Sequence, residues 1–263
     1  MTLLVVEGLS KSYPRRRDFF GRVTERLDAV SEVGFTLGRG ETLSIVGESG
    51  AGKSTVGRLI LRLIEPDRGR IVLDGADLRA MPRGALRAHR RHMQMIFQDP
   101  FSSLDPRVEI GRSIEEPMLL HLPLSAQERR ARALALLERV GLDGGYAGRL
   151  PSGLSGGQLQ RVAIARALAV NPKIIVCDEP VAALDVSVRA QVLNLMAELQ
   201  EEFGMSYLFI SHDLSIVRAI SDRVAVMSKG RLVEIGPTEE IFAAPRNDYT
   251  VELIRAIPAM AHG

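Results

Sequence analysis

The stretch Gly47-Glu48-Ser49-Gly50-Ala51-Gly52-Lys53-Ser54 fits G-x-x-x-x-G-K-[ST], and it stands between the apolar run Leu43 to Val46 and a helical pattern that begins near Lys53. Strand, loop and helix in that order are the context a phosphate-binding loop requires. Main-chain N–H groups must turn inward around phosphates, and a Cβ at the glycines would block either the backbone conformation or the close approach. The following helix adds the positive end of its dipole. Lys53 is placed to reach β and γ phosphates as a point charge. The Ser54 hydroxyl is placed to ligate Mg²⁺, an ion that takes oxygen ligands and keeps several waters. Thr55, next in the first helical turn, completes this set of candidates.

The chain of 263 residues is long enough for one large core, or one core with a smaller lobe, and 46% hydrophobic residues suit a globular protein. A formal net charge of +2 provides no whole-molecule field for nucleic acid, although arginines cluster at Arg15 to Arg17, Arg87 to Arg91 and Arg129 to Arg132. No apolar run approaches the roughly 18 to 20 residues that span a bilayer, and Leu3 to Val6 is too short for the core of a signal peptide, so a cytoplasmic protein is expected. Cys177 lies in the apolar run Ile174 to Cys177, where a thiol fills core volume.

Leu3 to Glu7 and Val33 to Leu37 read as strands, with the basic stretch Pro14 to Arg26 between them as an exposed hairpin, or as a surface that touches anionic lipid or a partner. Tyr13 could stack on a base, or simply pack. After the phosphate loop, Val56, Leu59, Ile60 and Leu63 recur at helical spacing as one buried face, with the helix ending before Pro66. Arg70 to Leu73 and Met93 to Phe97 read as strands. The second runs into Gln98-Asp99-Pro100-Phe101-Ser102-Ser103-Leu104-Asp105-Pro106, whose two prolines mark a break. From Glu109 to Leu150 the pattern is helical, with Leu134, Leu137 and Val140 on one face, as in an inserted lobe.

Leu154-Ser155-Gly156-Gly157-Gln158 opens another helix, with Ser155 as its N-cap and two glycines leaving first-turn N–H groups open to an anion. Lys173 to Cys177 is a buried strand that ends in Asp178-Glu179-Pro180. Two carboxylates at a strand end near a phosphate loop have distinct uses. Asp178 can hold a Mg²⁺ shell through water, while Glu179 is free to take a proton from an attacking water. A helix follows from Ser187, then a strand over Tyr207 to Ile210 closed by Ser211-His212-Asp213, where His212 can hydrogen-bond a terminal phosphate. Strands near Val224 to Met227 and Leu232 to Ile235 precede a helical tail.

Taken together, these motifs resemble the ATP-binding subunit of an ATP-binding cassette (ABC) transporter across nearly the whole chain. The resemblance makes Gly47 to Ser54 the Walker A loop, Tyr13 the adenine-stacking aromatic and Gln98 the Q-loop glutamine, which joins Ser54 and Asp178 around the metal. Leu154 to Gln158 become the signature, Ile174 to Glu179 the Walker B strand, Ala183-Leu184-Asp185 the D-loop and His212 the switch histidine. One departure is Ala182, where serine is common. The fold it implies is α/β: a P-loop NTPase core with a mixed, mainly parallel sheet and an N-terminal antiparallel β-subdomain, plus an inserted helical subdomain. The core falls on 1–98 and 172–240, the helical insert on 99–171 and a helical tail on 241–263. The sequence around Gln98 to Arg107 and the tail, with Tyr249-Thr250, resemble the peptide and nickel importer branch, although Asn247-Asp248 and Leu159 depart from it.

The resemblance further implies ATP and Mg²⁺ as ligands, and a head-to-tail dimer in which each ATP lies between one subunit's phosphate loop and the other's signature. Two membrane permease subunits would meet the groove near Gln98, with Phe101 and Leu104 as apolar anchors, and an extracytoplasmic solute-binding protein would act indirectly. The chain would sit on the cytoplasmic side of the inner membrane and bind no nucleic acid. Cassette proteins that act on DNA carry a long coiled coil between Gln98 and the signature, and the stretch to Ser155 lacks sustained heptads. Ribosome-acting relatives usually carry two cassettes, and a small-molecule kinase would leave Leu154 to Gln158 and His212 without a use.

Overall fold

The computed structural model of the chain describes residues 1–19 and 23–256. It divides into two compact units, Met1–Met81 with Leu208–Gly263, and Pro82–Tyr207.

The first unit begins with two long strands, β1 (Thr2–Arg17) and β2 (Val23–Gly38), followed by β3 (Thr42–Val46), α1 (Lys53–Ile60), β4 (Arg68–Leu73) and the short β5 (Ala76–Asp77). β1 pairs antiparallel with β2 and with β4, giving the order β2-β1-β4-β5. Leu4, Leu9, Val33 and Leu37 bury one face of this hairpin. Strand structure runs much further into the basic stretch than Leu3 to Glu7, and Tyr13 pairs with Leu27. Pro14 to Arg16 and Thr24 to Asp28 are exposed, so this end of the hairpin has no buried apolar face to mark it. Residues 20–22 of that stretch lie outside the described residues.

The helix α1 stops at Ile60, is capped by Leu61, and turns at Arg62, which stands at φ 48°. Leu63 is therefore 49% exposed, not the last member of the buried face that its spacing suggested.

The second unit contains α2 (Arg83–His89), β6 (Met93–Ile96), α3 (Pro100–Ser103), α4 (Ile110–His121), α5 (Ala126–Arg139), α6 (Gly156–Leu168), β7 (Ile174–Asp178) and α7 (Val186–Phe203). β6 and β7 are parallel neighbours, with Ile96 opposite Cys177. A capping box starts α5: Ser125 and Glu128 each accept the other's main-chain N–H. α7 ends on Gly204 at φ 64°, the left-handed stop that glycine provides without strain. Leu104 is 4% exposed and belongs to the core of this unit, whereas Phe101 is 55% exposed. The apolar anchor expected at Leu104 is thus withdrawn from the surface.

The strand β8 (Ser206–Ile210) carries the chain back to the first unit, which closes with α8 (Leu214–Ile220), β9 (Arg223–Ser228), β10 (Arg231–Pro237), α9 (Thr238–Ala243) and α10 (Asp248–Arg255). Here β3 lies between β8 and β9, pairs parallel with β9, and β10 adds antiparallel at the edge. Every residue of β3 is buried, as is usual for strands covered on both faces. Val46, Leu214, Val217, Val224, Val226 and Ile241 form one cluster, against which Tyr249, Leu253 and Ile254 of α10 pack. The tail expected over 241–263 is described as far as residue 256. Taken whole, the architecture is α/β, with one antiparallel sheet and one mixed, largely parallel sheet.

Candidate functional site

The buried strand β3 delivers the chain into the loop Gly47 to Gly52, and α1 begins at Lys53. Gly47 stands at φ 148°, where an added Cβ would lie 2.1 Å from the carbonyl oxygen of Met227. Gly52 stands at φ 99°, where it would lie 2.2 Å from that of Ala29. In both places the obstacle is main chain, which cannot swing aside as a side chain can. The loop is also tied outward. Gly230 N–H donates to the Ala51 carbonyl (3.0 Å), and Ser31 N–H donates to that of Gly230 (2.8 Å). Lys53 is 5% exposed, and its Nζ donates to the carbonyls of Gly47 (2.7 Å) and Glu48 (2.9 Å), so the ammonium is held by the loop it serves. Ser54 and Thr55 are half-buried in the first turn of α1.

Tyr13 and His212 belong to the same unit as the loop. Tyr13 is half-buried, with Lys11 Nζ 5.8 Å from its ring centroid. Asp67 accepts from Lys11 Nζ (2.9 Å), from Ser12 N–H (2.8 Å) and from the Ser12 hydroxyl (3.1 Å). The Lys11 hydrogen bond, and then the Ser12 N–H, hold the Asp67 carboxyl down at about 2. His212 is exposed immediately after β8, and Asp213 beside it caps α8 by accepting from Ser215 and Ile216 N–H.

Gln98, Leu154 to Gln158, Asp178, Glu179 and Asp185 lie in the second unit. Asp178 ends β7 at 5% exposure. Glu179 follows at φ 48°, a left-handed conformation that costs a residue with a Cβ of order 1 kcal/mol or more and recurs at functional sites. Gln98 Nε2 donates to Glu179 Oε2 at 3.1 Å. The loop that follows is folded by main chain: Ala182 N–H donates to the Glu179 carbonyl (3.2 Å) and Leu184 N–H to that of Val181 (3.2 Å). These two bonds need no side chain at 182, so Ala182 fits the turn. Asp185 is exposed at the start of α7. Cys177 is wholly buried, and burial, with the Asp178 charge next, pushes its thiol pKa up, which leaves it as core volume.

Ser155 caps α6 through a reciprocal pair with Gln158, whose Nε2 also donates to the Tyr146 hydroxyl at 2.8 Å. The first-turn glycines differ. A Cβ on Gly156 would meet Leu184 at 3.6 Å, an ordinary contact, whereas on Gly157 it would lie 2.4 Å from Val188 Cγ1. One turn further on, Gln160 is fully buried and neither of its amide atoms has a hydrogen-bond partner among the described residues.

Sequence reasoning missed one contact at the phosphate loop. The main-chain N–H of Glu48 donates to the Tyr249 hydroxyl at 3.1 Å, a bond between residues 201 positions apart. Tyr249-Thr250 stood out in the tail, yet no spacing pointed it at the loop.

Among the described residues, no three His, Cys, Asp or Glu side chains gather where they could hold a metal ion. The candidate donors Ser54, Gln98 and Asp178 supply a hydroxyl, an amide and a carboxylate, all hard oxygens. That set fits Mg²⁺, which takes most of its shell from water and nucleotide phosphates.

A phosphate loop opening a helix after a buried parallel strand, with an acidic strand end elsewhere in the chain, defines the class of phosphate-loop nucleotide-binding cassettes. A family profile described as ABC transporter matches residues 30–182. The chain belongs to the ABC transporter family, as the resemblance of its motifs implied. It is 52% identical over 256 residues to the glutathione import ATP-binding proteins GsiA of Pectobacterium atrosepticum and of Escherichia coli strain K12, an alignment that covers 97% of this chain and 41% of each relative. The chain thus spans about two fifths of the length of those curated relatives. Among solved structures it is similar to the ATP-binding cassette MJ0796, a dimer in a post-hydrolysis state bound to ADP and Pi, with TM-score 0.80, 31% identity and coverage of 90% of this chain and 99% of that one. It is also similar to cbiO1 of Clostridium perfringens, part of the ABC transporter complex cbiONQ, with TM-score 0.79, 29% identity and coverage of 92% and 91%.

Proposed function

We propose that the chain is the ATP-hydrolysing subunit of an importer that takes up small peptides. Gly47 to Thr55 hold the phosphates, with Lys53, steadied by the loop carbonyls, reaching the β and γ positions, and Tyr13 faces the adenine. Ser54 and Gln98, with Asp178 through water, would hold Mg²⁺, which when bound would offset the charge of the phosphates. Glu179 takes the proton of the attacking water, Gln98 orients it, and His212 hydrogen-bonds the γ-phosphate. Leu154 to Gln158 act on the ATP of a second cassette, with Asp185 in the loop at their side. The stabilising charge is then complete only when two cassettes close, and hydrolysis removes the preference for that state. The cassette would lie on the cytoplasmic side of the membrane, joined to two permease subunits and served by a solute-binding protein. Among the described residues no helix is long and apolar enough to cross a membrane.

The observation that carries the hydrolase reading is the Gln98–Glu179 hydrogen bond at the end of a buried strand. The peptide cargo is supported by the similarity to the glutathione import proteins, glutathione being a tripeptide. Nickel or another small solute is the alternative cargo. The test is ATP hydrolysis by the cassette in proteoliposomes with its permeases and binding protein. Stimulation by glutathione or dipeptides, and none by Ni²⁺, is the expected result; stimulation by Ni²⁺ alone would replace peptide by metal.

A further inference from the structure

One peptide group in the phosphate loop is held at both ends. It joins Gly47 to Glu48: its carbonyl accepts from the ammonium of Lys53 at 2.7 Å, and its N–H donates to the hydroxyl of Tyr249 at 3.1 Å. Because a trans peptide is planar, its C=O and N–H point in opposite directions, and fixing one fixes the other. Tyr249 therefore sets the direction in which the Gly47 carbonyl faces, and with it one of the two loop carbonyls that hold Lys53.

Tyr249 is itself held in place. Its ring packs against the cluster that includes Val46, the last residue before the loop. Its own N–H donates to Asn247 Oδ1, the cap of α10. The Glu234 carboxylate of β10 accepts from the N–H groups of Arg246 (2.8 Å) and Asn247 (3.1 Å). Burial works to raise the pKa of Glu234, but the donors gathered around it, those two N–H groups among them, outweigh it and leave the pKa lowered, so the carboxylate stays charged to hold the start of the helix. The hydroxyl is thus part of a rigid clip, with no ordering left to do when it meets the loop.

We propose that Tyr249 is a positioning residue for nucleotide binding, acting through the 47–48 peptide on Lys53. The proposal rests on the reading of Gly47 to Ser54 as the nucleotide site and extends it to the C-terminal helix. With the hydroxyl gone, the peptide is free to rotate, the Gly47 carbonyl no longer faces the ammonium in every molecule, and only part of the population presents the loop ready for phosphates. Apparent affinity falls by that fraction.

The experiment compares wild type, Tyr249→Phe and Lys53→Ala by the dissociation constant of a fluorescent ATP analogue and by thermal unfolding without nucleotide. Phenylalanine keeps the ring and its packing and removes the one bond. The expected result for Tyr249→Phe is a dissociation constant weakened about threefold to tenfold, the range that follows from losing one hydrogen bond, at a melting midpoint within about 1 °C of wild type. Wild-type affinity in Tyr249→Phe, or weakened affinity accompanied by a clear fall in melting midpoint, would overturn the proposal. Lys53→Ala separates the two levels. If it binds the analogue as wild type does, the nucleotide reading of the loop fails. If it loses binding while Tyr249→Phe does not, the role of Tyr249 alone fails.

Discussion

The amide of Gln98 donates to the carboxylate of Glu179 across 3.1 Å, joining the end of β6 to the end of β7. Strand register produces this contact. Ile96 lies opposite Cys177 in the parallel pair, and each partner of the hydrogen bond stands two residues beyond. A single-residue slip would turn one of the two side chains to the other face of the sheet and separate them. The left-handed backbone at Glu179 re-aims the chain immediately after the last buried carboxylate, Asp178.

Glu179→Gln keeps the shape and the capacity to bond Gln98 but cannot accept a proton. ATP turnover by the purified cassette should fall roughly 100- to 10,000-fold, a barrier increase of about 3 to 5 kcal/mol, while ATP is still bound. Gln98→Ala leaves the base present but unoriented, and its loss should be smaller. Turnover of Glu179→Gln within threefold of wild type would contradict the assignment.

The neighbouring glycines of α6 should respond in opposite ways. Gly156 has room for a side chain against Leu184, so Gly156→Asp should fold and bind ATP as a single chain. Its carboxylate would face the partner's γ-phosphate, and ATP-dependent dimerisation of the Glu179→Gln background should be lost. Gly157 has Val188 where a Cβ would go, so Gly157→Ala should cost about 1 to 3 kcal/mol of stability by overpacking, measured as a shift in denaturant midpoint. Normal dimerisation by the Gly156→Asp double mutant would remove α6 from the nucleotide.

The phosphate loop was legible because its function demands glycine, lysine and serine at fixed offsets, and because five buried residues of β3 leave a clear apolar run before it. The strand β7, with its five buried residues, was legible for the same reason. The exposed end of the β1–β2 hairpin and the helix α2 were not: α2 buries Leu86 alone, so it offers no apolar period. The end of α1 at Ile60 was also missed, since Leu63 keeps the helical spacing although the chain has already turned at Arg62. Tyr249 illustrates the remaining limit. A bond between residues so distant in sequence depends on how β3 and α10 meet, and no local pattern encodes it.

Gln160 carries a fully buried amide with no partner among the described residues. Leaving such a group unpaired costs about 1 to 3 kcal/mol, so an apolar replacement of similar size should stabilise the fold. Gln160→Leu should raise stability by about 1 kcal/mol and the melting midpoint by about 2 to 4 °C. A fall in the midpoint would show that the amide is satisfied in solution.

Asp67 joins the start of β4 to Lys11 and Ser12 of β1, just before Tyr13. Its folded pKa of about 2 lies below the ordinary 3.8, so the charged form favours the folded state. That contribution is fully present above the ordinary value and is lost as pH falls through the folded one. The stability difference between wild type and Asp67→Asn should be constant above about pH 5 and shrink between about pH 4 and pH 2. A difference that persists unchanged to pH 2 would assign the effect to geometry instead of charge.

Phe101 stands 55% exposed on α3, while Leu104, three residues on, is in the core of the same unit. Asp99 caps this short helix by accepting the Phe101 N–H, so the exposed ring sits on an ordered turn and not on a free strand of chain. An ordered, exposed aromatic has little conformational entropy left to lose on docking, and such side chains tend to dominate interface energies. The permease is the expected occupant. Arg15 to Arg17 are the competing route to the membrane, by attraction to anionic lipid of about 1 kcal/mol per basic residue at best. Arg15 already pairs with Glu25 at 2.9 Å, which lowers the charge that it can offer. In a flotation assay with liposomes that carry the permease, Phe101→Ala should weaken association at least about tenfold with the melting midpoint unchanged, and alanine at Arg15, Arg16 and Arg17 should leave it intact. Binding of wild type to permease-free liposomes, abolished by the arginine changes and untouched by Phe101→Ala, would place attachment on lipid instead.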